Sequence, residues 1–248
     1  MDTHCHLHMS DEDPGLLVAR AAAAGVDWMI DPGTDAASSE AAMLLAATFP
    51  GVVFAAAGLH PHDAERWPAE AERIYGLAAG AMAVGECGLD FYRELSPRSA
   101  QVEAFRAQVG LAITLDKPLI VHCRDAFAEA YDILEDTGAG RRAVLHCWTG
   151  GRRWTRRFAG LGVVFSFAGP ITYPTGDTVR LAAGECSPDR TMVETDTPFL
   201  TPPPDRHAPN EPANVVRVGE ALAEVWGMTP EQVAASTSAT ARRVFGVG

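Results

Sequence analysis

Short apolar runs that end in a polar residue or a turn recur along the chain, and stretches with helical periodicity separate them. These runs predict strands near Met1–His4, Val26–Asp31, Val52–Gly58, Ala81–Glu86, Pro118–His122, Ala143–His146, Val163–Phe167 and Thr191–Asp196. Helices are expected between them: Leu16–Ala24 closed by Gly25, Ala36–Phe49 ahead of Pro50, and Ser99–Leu115 opened by Ser96-Pro97. After a proline-rich irregular loop over 201–212, two more helices should close the chain, Ala213–Trp226 and Pro230–Phe245. Eight strands in 248 residues leave 31 residues per unit, the length of a βαβ repeat, and predict an α/β protein built as a (β/α)8 TIM barrel. A doubly wound open sheet would carry a glycine-rich phosphate loop after its first strand, and that position holds histidines instead. No linker divides the chain, so residues 1–248 are expected to form a single domain.

His4 and His6 are two residues apart, which on a strand turns both imidazoles to one face. Glu86, His122, His146 and Asp196 end later strands. They are too far apart in sequence to share a helix or hairpin, and a closed parallel sheet would bring them to one mouth. Four histidines and two acids buried in that mouth without a cation would cost several kcal/mol each; together they supply six ligands, enough for two divalent ions with open positions for water. Cys5, Cys87, Cys123 and Cys147 each adjoin one of these residues, and alternation turns them away from the mouth. They are expected to be buried apolar fillers rather than ligands or nucleophiles.

Composition narrows the picture further. Nearly half the chain is hydrophobic, no run approaches a membrane span, and the start has neither a basic nor an apolar leader segment. A cytoplasmic protein is expected, and its odd count of five cysteines argues for reduced thiols. The formal charge of −12 argues against a protein that coats nucleic acid, while leaving room for an enzyme that grips it locally through metals.

Seven ordered motifs carry a resemblance that covers nearly the whole chain. They are Asp2-Thr3-His4-Cys5-His6-Leu7, Gly58-Leu59-His60-Pro61-His62-Asp63-Ala64, Gly85-Glu86-Cys87-Gly88-Leu89-Asp90-Phe91-Tyr92 and His122-Cys123-Arg124-Asp125-Ala126, followed by His146-Cys147-Trp148-Thr149-Gly150, Glu194-Thr195-Asp196-Thr197-Pro198-Phe199 and Asn210-Glu211-Pro212. The chain resembles the TatD family of metal-dependent hydrolases. That resemblance implies a (β/α)8 barrel, two divalent cations (Mg, Mn or Zn) and phosphodiester hydrolysis, commonly as a deoxyribonuclease trimming DNA. It implies one cation held by His4, His6 and Asp196, a second by His122 and His146, and Glu86 bridging the two. His8 departs from the family, which usually has Asp there. Met1 directly precedes Asp2 where relatives carry two or three apolar residues, which leaves a short or frayed first strand or a start farther upstream.

On this reading a metal-activated hydroxide attacks the phosphodiester of single-stranded DNA or a DNA end, exonucleolytically. Glu86 and Asp196 are the expected catalytic carboxylates; Asp196 either orients the water or takes its proton, or serves purely as a ligand. His62 and Arg124 are the expected substrate contacts, with Asp90 or Asp125 as partner for the arginine. The run Arg152-Arg153-Trp154-Thr155-Arg156-Arg157 is either a solvated helix face or, with Trp148 or Trp154 for stacking, a track for a single strand. An amide, lactone or aminoacyl-ester hydrolase on the same barrel is the alternative activity, and a non-catalytic, metal-stabilised interaction protein is a third.

Overall fold

A computed structural model describes all residues, 1–248. Seven parallel strands pair in chain order: β1 (Met29–Pro32), β2 (Val53–Ala57), β3 (Ala83–Asp90), β4 (Leu119–Arg124), β5 (Ala143–Leu145), β6 (Val164–Phe167) and β7 (Thr191–Val193). Helices cover the connections: α1 (Pro14–Ala23), α2 (Ala36–Thr48), α3 (Trp67–Gly80), α4 (Arg98–Thr114), α5 (Phe127–Thr137), α6 (Gly151–Gly160) and α7 (Asp177–Ala183), with α8 (Val215–Trp226) and α9 (Pro230–Phe245) after the last strand. Local signals set several boundaries. Asp35 and Ser38 form a capping box on α2, Thr229 and Gln232 form another on α9, and Gly138 ends α5 in the left-handed conformation. The chain's single lysine, Lys117, donates from Nζ to the carbonyls of Ala78 and Ala79 at 2.7 Å each, placing a cation at the negative end of α3. None of these helices is long and apolar enough to cross a membrane.

The expected first strand differs from the rest. Residues 1–6 make only isolated parallel bridges, Asp2 with Met29 and Cys5 with Thr197. Even so, the segment bonds in both directions. Asp2 N–H donates to Trp28 and Cys5 N–H to Ile30 on the β1 side, while Thr3 N–H donates to Val193 and His6 N–H to Thr197 on the β7 side. Both edges of the sheet therefore find partners in one short, irregular stretch. Its irregularity has a physical source in the sequence: five of its six residues are polar or titratable, and Asp2, Thr3, Cys5 and His6 each bond through their side chains to segments distant in the chain.

Asp2 anchors this segment. Fully buried, it accepts from Thr195 N–H at 2.9 Å and Thr195 Oγ1 at 2.6 Å, and from His4 N–H at 3.3 Å. Below the sheet ends, 52 buried apolar residues form one cluster that runs from Met1 to Phe245 and ties the first residues to the last helix. Asp2→Ala leaves three buried donors without their acceptor and is expected to destabilise the fold by about 2–4 kcal/mol. Urea unfolding of the variant against the parent measures this directly, as a lower midpoint at unchanged slope.

Candidate metal centre

The C-terminal strand ends carry the chemistry. β3 deserves its glycines: between Val84 and Cys87 its register with β4 slips by one residue, a bulge that re-aims Glu86. Gly85 and Gly88, at φ 136° and 133°, border that bulge, and a Cβ on Gly88 would stand 2.0 Å from the His122 carbonyl oxygen. Only glycine permits this backbone so close to β4. At the following strand ends Asp125, Cys147 and Asp196 adopt positive φ of 53°, 43° and 61°, and local strain of this kind collects at functional sites.

Glu86 is buried and ringed by imidazoles, with its two oxygens facing different groups. Oε2 lies 3.4 Å from Nε2 of both His4 and His6. Oε1 lies 2.9 Å from His146 Nε2, 3.1 Å from His122 Nδ1 and 3.3 Å from His60 Nε2. Asp196 Oδ1 stands 3.7 Å from Nε2 of His4 and of His6. Thus His4, His6, Glu86, His122, His146 and Asp196 meet at one place. Burial alone would favour a neutral Glu86, but the fields of His146, His60 and His4 and the bond to His122 hold it well below the usual carboxylate range. Burial pushes Asp196 up to about 6.

A further ring of acceptors orients the imidazoles. His6 Nδ1 donates to the Pro32 carbonyl at 2.9 Å, His146 Nδ1 faces Glu194 Oε1 at 3.2 Å, and His122 Nε2 faces Asp90 Oδ2 at 3.2 Å. In a neutral ring each bond fixes the proton on the outer nitrogen and leaves an inward lone pair. His60 is set the other way: its Nδ1 accepts from His62 N–H at 3.2 Å, so the proton sits on Nε2, toward Glu86. The donor set fits a cation. Imidazole nitrogens and carboxylate oxygens about 2.1 Å from a tetrahedral ion lie about 3.4 Å apart, close to the separations seen here. Ligation needs both rings neutral, and in that state the lone pairs of His122 and His146 would face Glu86 with no proton between them. Without a cation, each of these buried acceptors would face another acceptor.

His62 and Arg124 stand at the rim rather than in the ring. His62 Nε2 bonds Asp90 Oδ2 at 2.9 Å and is partly exposed. Arg124 has neither expected carboxylate partner: its guanidinium stacks 3.9 Å from the centre of the Tyr92 ring, and Asp90 is engaged by His62 and His122. The arginine run on α6 also departs from the strand-track expectation. Arg152 and Arg156 pair with Glu185 at 2.6 and 2.7 Å, Arg157 lies over Tyr131 and Trp154, and Trp148 is buried with its indole N–H on Thr155. Trp148 is therefore core, with no face to offer a base. Cys5, Cys87 and Cys123 are buried as alternation predicts, whereas the turned backbone at Cys147 leaves that residue partly exposed.

Sequence reasoning missed His60, Asp90 and Glu194 as members of the site. Glu194 is two residues before Asp196 and Asp90 four after Glu86, spacings that repeat a strand face; His60 lies three residues beyond the end of β2, as His146 directly follows β5. His8 forms a further buried pair, Nδ1 to Asp31 Oδ1 at 2.6 Å.

The TatD related DNase family model matches residues 1–246. The chain belongs to this family. Among its relatives, the uncharacterized metal-dependent hydrolase YabD of Bacillus subtilis (strain 168) is 36% identical, with 98% of each chain covered. A 3'-5' ssDNA/RNA exonuclease TatD of Citrobacter rodentium (strain ICC168) is 37% identical over 95% of this chain and 93% of that one. The crystal structure of YJJV, a TATD homolog from Escherichia coli k12, superposes with a TM-score of 0.93 at 28% identity, covering 100% of this chain and 98% of that one. Family membership makes the chain a metal-dependent hydrolase.

A saturating divalent cation, near a hundred times its Kd, adds about 2.7 kcal/mol of stability, or a Tm rise of roughly 5–11 °C for a chain of this size. Differential scanning calorimetry of chelator-treated protein with and without Mn²⁺ is expected to show that rise at neutral pH. The rise should shrink as pH falls below about 6, because a proton on Asp196 competes with the ion. Glu86→Gln should remove most of it.

Proposed function

We propose that this protein is a two-cation phosphodiesterase that removes nucleotides from the ends of single-stranded DNA. The observation that carries the reading is the division of Glu86, one oxygen toward His4 and His6 and the other toward His60, His122 and His146. A carboxylate so placed can span two ions. His4, His6 and Asp196 would hold one, His122 and His146 the other, with Mg²⁺, Mn²⁺ or Zn²⁺ all compatible with mixed nitrogen and oxygen donors. Relatives named as 3'-5' ssDNA/RNA exonucleases support a nucleic-acid substrate attacked from its 3′ end. We read the whole chain as one (β/α)8 domain in which residues 1–6 serve as an abbreviated eighth strand, a reading supported by their bonds to both edges of the sheet. Five free cysteines suit the reducing cytoplasm.

When bound, the cations supply Lewis acidity at the phosphate and lower the pKa of water toward neutrality. The chain's own groups do the rest. Asp196, on the open side of the ring and only partly buried at its tip, takes the proton of the attacking water as general base. Asp90, Glu194 and the Pro32 carbonyl hold the imidazoles so that their lone pairs stay inward. His60 keeps its Nε2 proton on Glu86 and fixes the carboxylate's rotation. Arg124, flat against Tyr92, presents its planar fork to a phosphate of the strand, and His62, steadied by Asp90, offers a second contact.

Incubation of metal-loaded protein with 5′-labelled single-stranded DNA is expected to yield a ladder of stepwise shortening that chelator abolishes. Asp196→Asn should lower kcat by about 10²–10⁴, the usual worth of a general base, with little change in KM. Arg124→Ala should instead raise KM by about tenfold, the value of one charge-assisted bond. Turnover of an ester or amide panel in place of DNA would sink the phosphodiesterase reading.

A further inference from the structure

The opposite end of the sheet holds a second concave site of contrasting charge. A cavity of about 460 Å³ opens where β4, β5, β6 and β7 begin, lined by residues that immediately precede or start those strands and by Arg243 and Val244 near the end of α9. Its volume falls in the range of small-ligand sites. Arg142 and His146 lie on either side of the three-residue β5, so four residue steps of extended chain, roughly 13 Å, separate the cavity from the metal centre.

Five of the chain's 20 basic residues line this cavity, against two of its 32 acidic ones. They are Lys117, Arg141, Arg142, Arg190 and Arg243, facing Asp116 and Asp189. In a chain of net charge −12, a local excess of three positive charges is not an average surface. The cations are also underused. Arg142 pairs with Asp116 at 2.7 Å, and Lys117 spends its donors on α3 carbonyls. Arg190 donates from Nη1 to Gly162 O at 2.7 Å and Arg243 from Nη2 to the backbone oxygen of Asp189; neither has a carboxylate within ion-pair distance. A guanidinium has five N–H donors, so each is tethered by one edge and keeps the other free. Arg141 is exposed and makes neither a hydrogen bond nor an ion pair. Like charges gathered without partners repel one another, and the N-terminal face of such a sheet needs no charge for catalysis. Planar forks held around a cavity match the oxygens of a phosphate.

We propose that this arginine-lined cavity binds phosphate groups, as a site separate from the metal centre. Two sources present that chemistry: a free nucleotide, or backbone phosphates of a bound strand beyond the reacting end. The binding itself stands independently of the nuclease reading, and only the choice of source draws on it.

The test compares metal-loaded parent protein with Arg141→Glu/Arg190→Glu by isothermal titration with dAMP, and by KM for single strands of about 20 nucleotides and for dinucleotides. Loss of two guanidinium contacts is expected to remove one class of dAMP site or weaken it at least about tenfold, with dinucleotide turnover unchanged. If KM for the long strand stays the same, the ligand is a free nucleotide. If KM for the long strand rises about fivefold or more and that for dinucleotides does not, the cavity holds distal phosphates of the strand. Identical dAMP isotherms and identical KM values in both proteins overturn the proposal. Arg141→Gln, which breaks no bond in the fold, repeats the titration should the double variant melt early, and a weakening of about threefold is then expected. If the parent turns over no DNA, the dAMP isotherms alone decide.

Discussion

One buried carboxylate surrounded by imidazoles sets the terms for the rest of this molecule. Glu86 and the histidines around it are polar groups placed where a parallel sheet would otherwise put valine or leucine, and their desolvation must be offset. The fold responds in layers. A bulge and two glycines turn Glu86 inward; Pro32, Asp90 and Glu194 take the outer protons of the rings; and the carboxylate of Asp90 is itself held, its Oδ1 accepting from Tyr92 and Arg93 N–H at 3.0 and 2.8 Å. Each layer restricts the one inside it, so that six side chains drawn from five separate stretches of chain arrive with compatible orientation. Such preorganisation lets a site bind cations without first rearranging.

Much of this was legible in the residues. Apolar runs of four to seven residues marked seven strands to within a few positions, and the prolines at Pro97 and Pro230 and the glycine at Gly25 marked helix ends. His4, His6, Glu86, His122, His146 and Asp196 could be picked out because each is a titratable group at the end of an apolar run, where bulk burial energetics would not put one. What escaped was whatever depends on backbone irregularity. Residues 1–6 read as a strand because alternation fits them, but polar demands on both sides break the ladder into single bridges. Cys147 read as buried because regular alternation was assumed through a residue whose φ is 43°. Arg124 was given a carboxylate partner, and took an aromatic face instead, a choice that charge counting cannot anticipate. His60 and Glu194 were passed over because their roles come from which ring nitrogen carries a proton, which spacing does not encode.

The two ends of the sheet carry opposite chemistry on one scaffold. At the C-terminal end, acids and neutral imidazoles make a place for cations; at the N-terminal end, guanidinium groups crowd a cavity. Strands of only three to eight residues separate them, so a short, stiff parallel core keeps fields of opposite sign from cancelling. Lys117 belongs to the N-terminal end, with its ammonium fixed on the last carbonyls of α3.

The way residues 1–6 join the two edges of the sheet also bears on how the chain comes to exist. His4 and His6 leave the ribosome about 190 residues ahead of their partners on the far side, Val193 to Thr197. Through most of synthesis, then, the leading segment has one neighbour and an open flank, with long-range closure deferred to the end. A chain that has not yet reached Asp196 can hold part of the ligand set, but never all of it. Hydrolytic competence is thereby tied to synthesis of the last strand and the turn that follows it, and a product truncated ahead of Asp196 would lack both a ligand and the closure of the sheet.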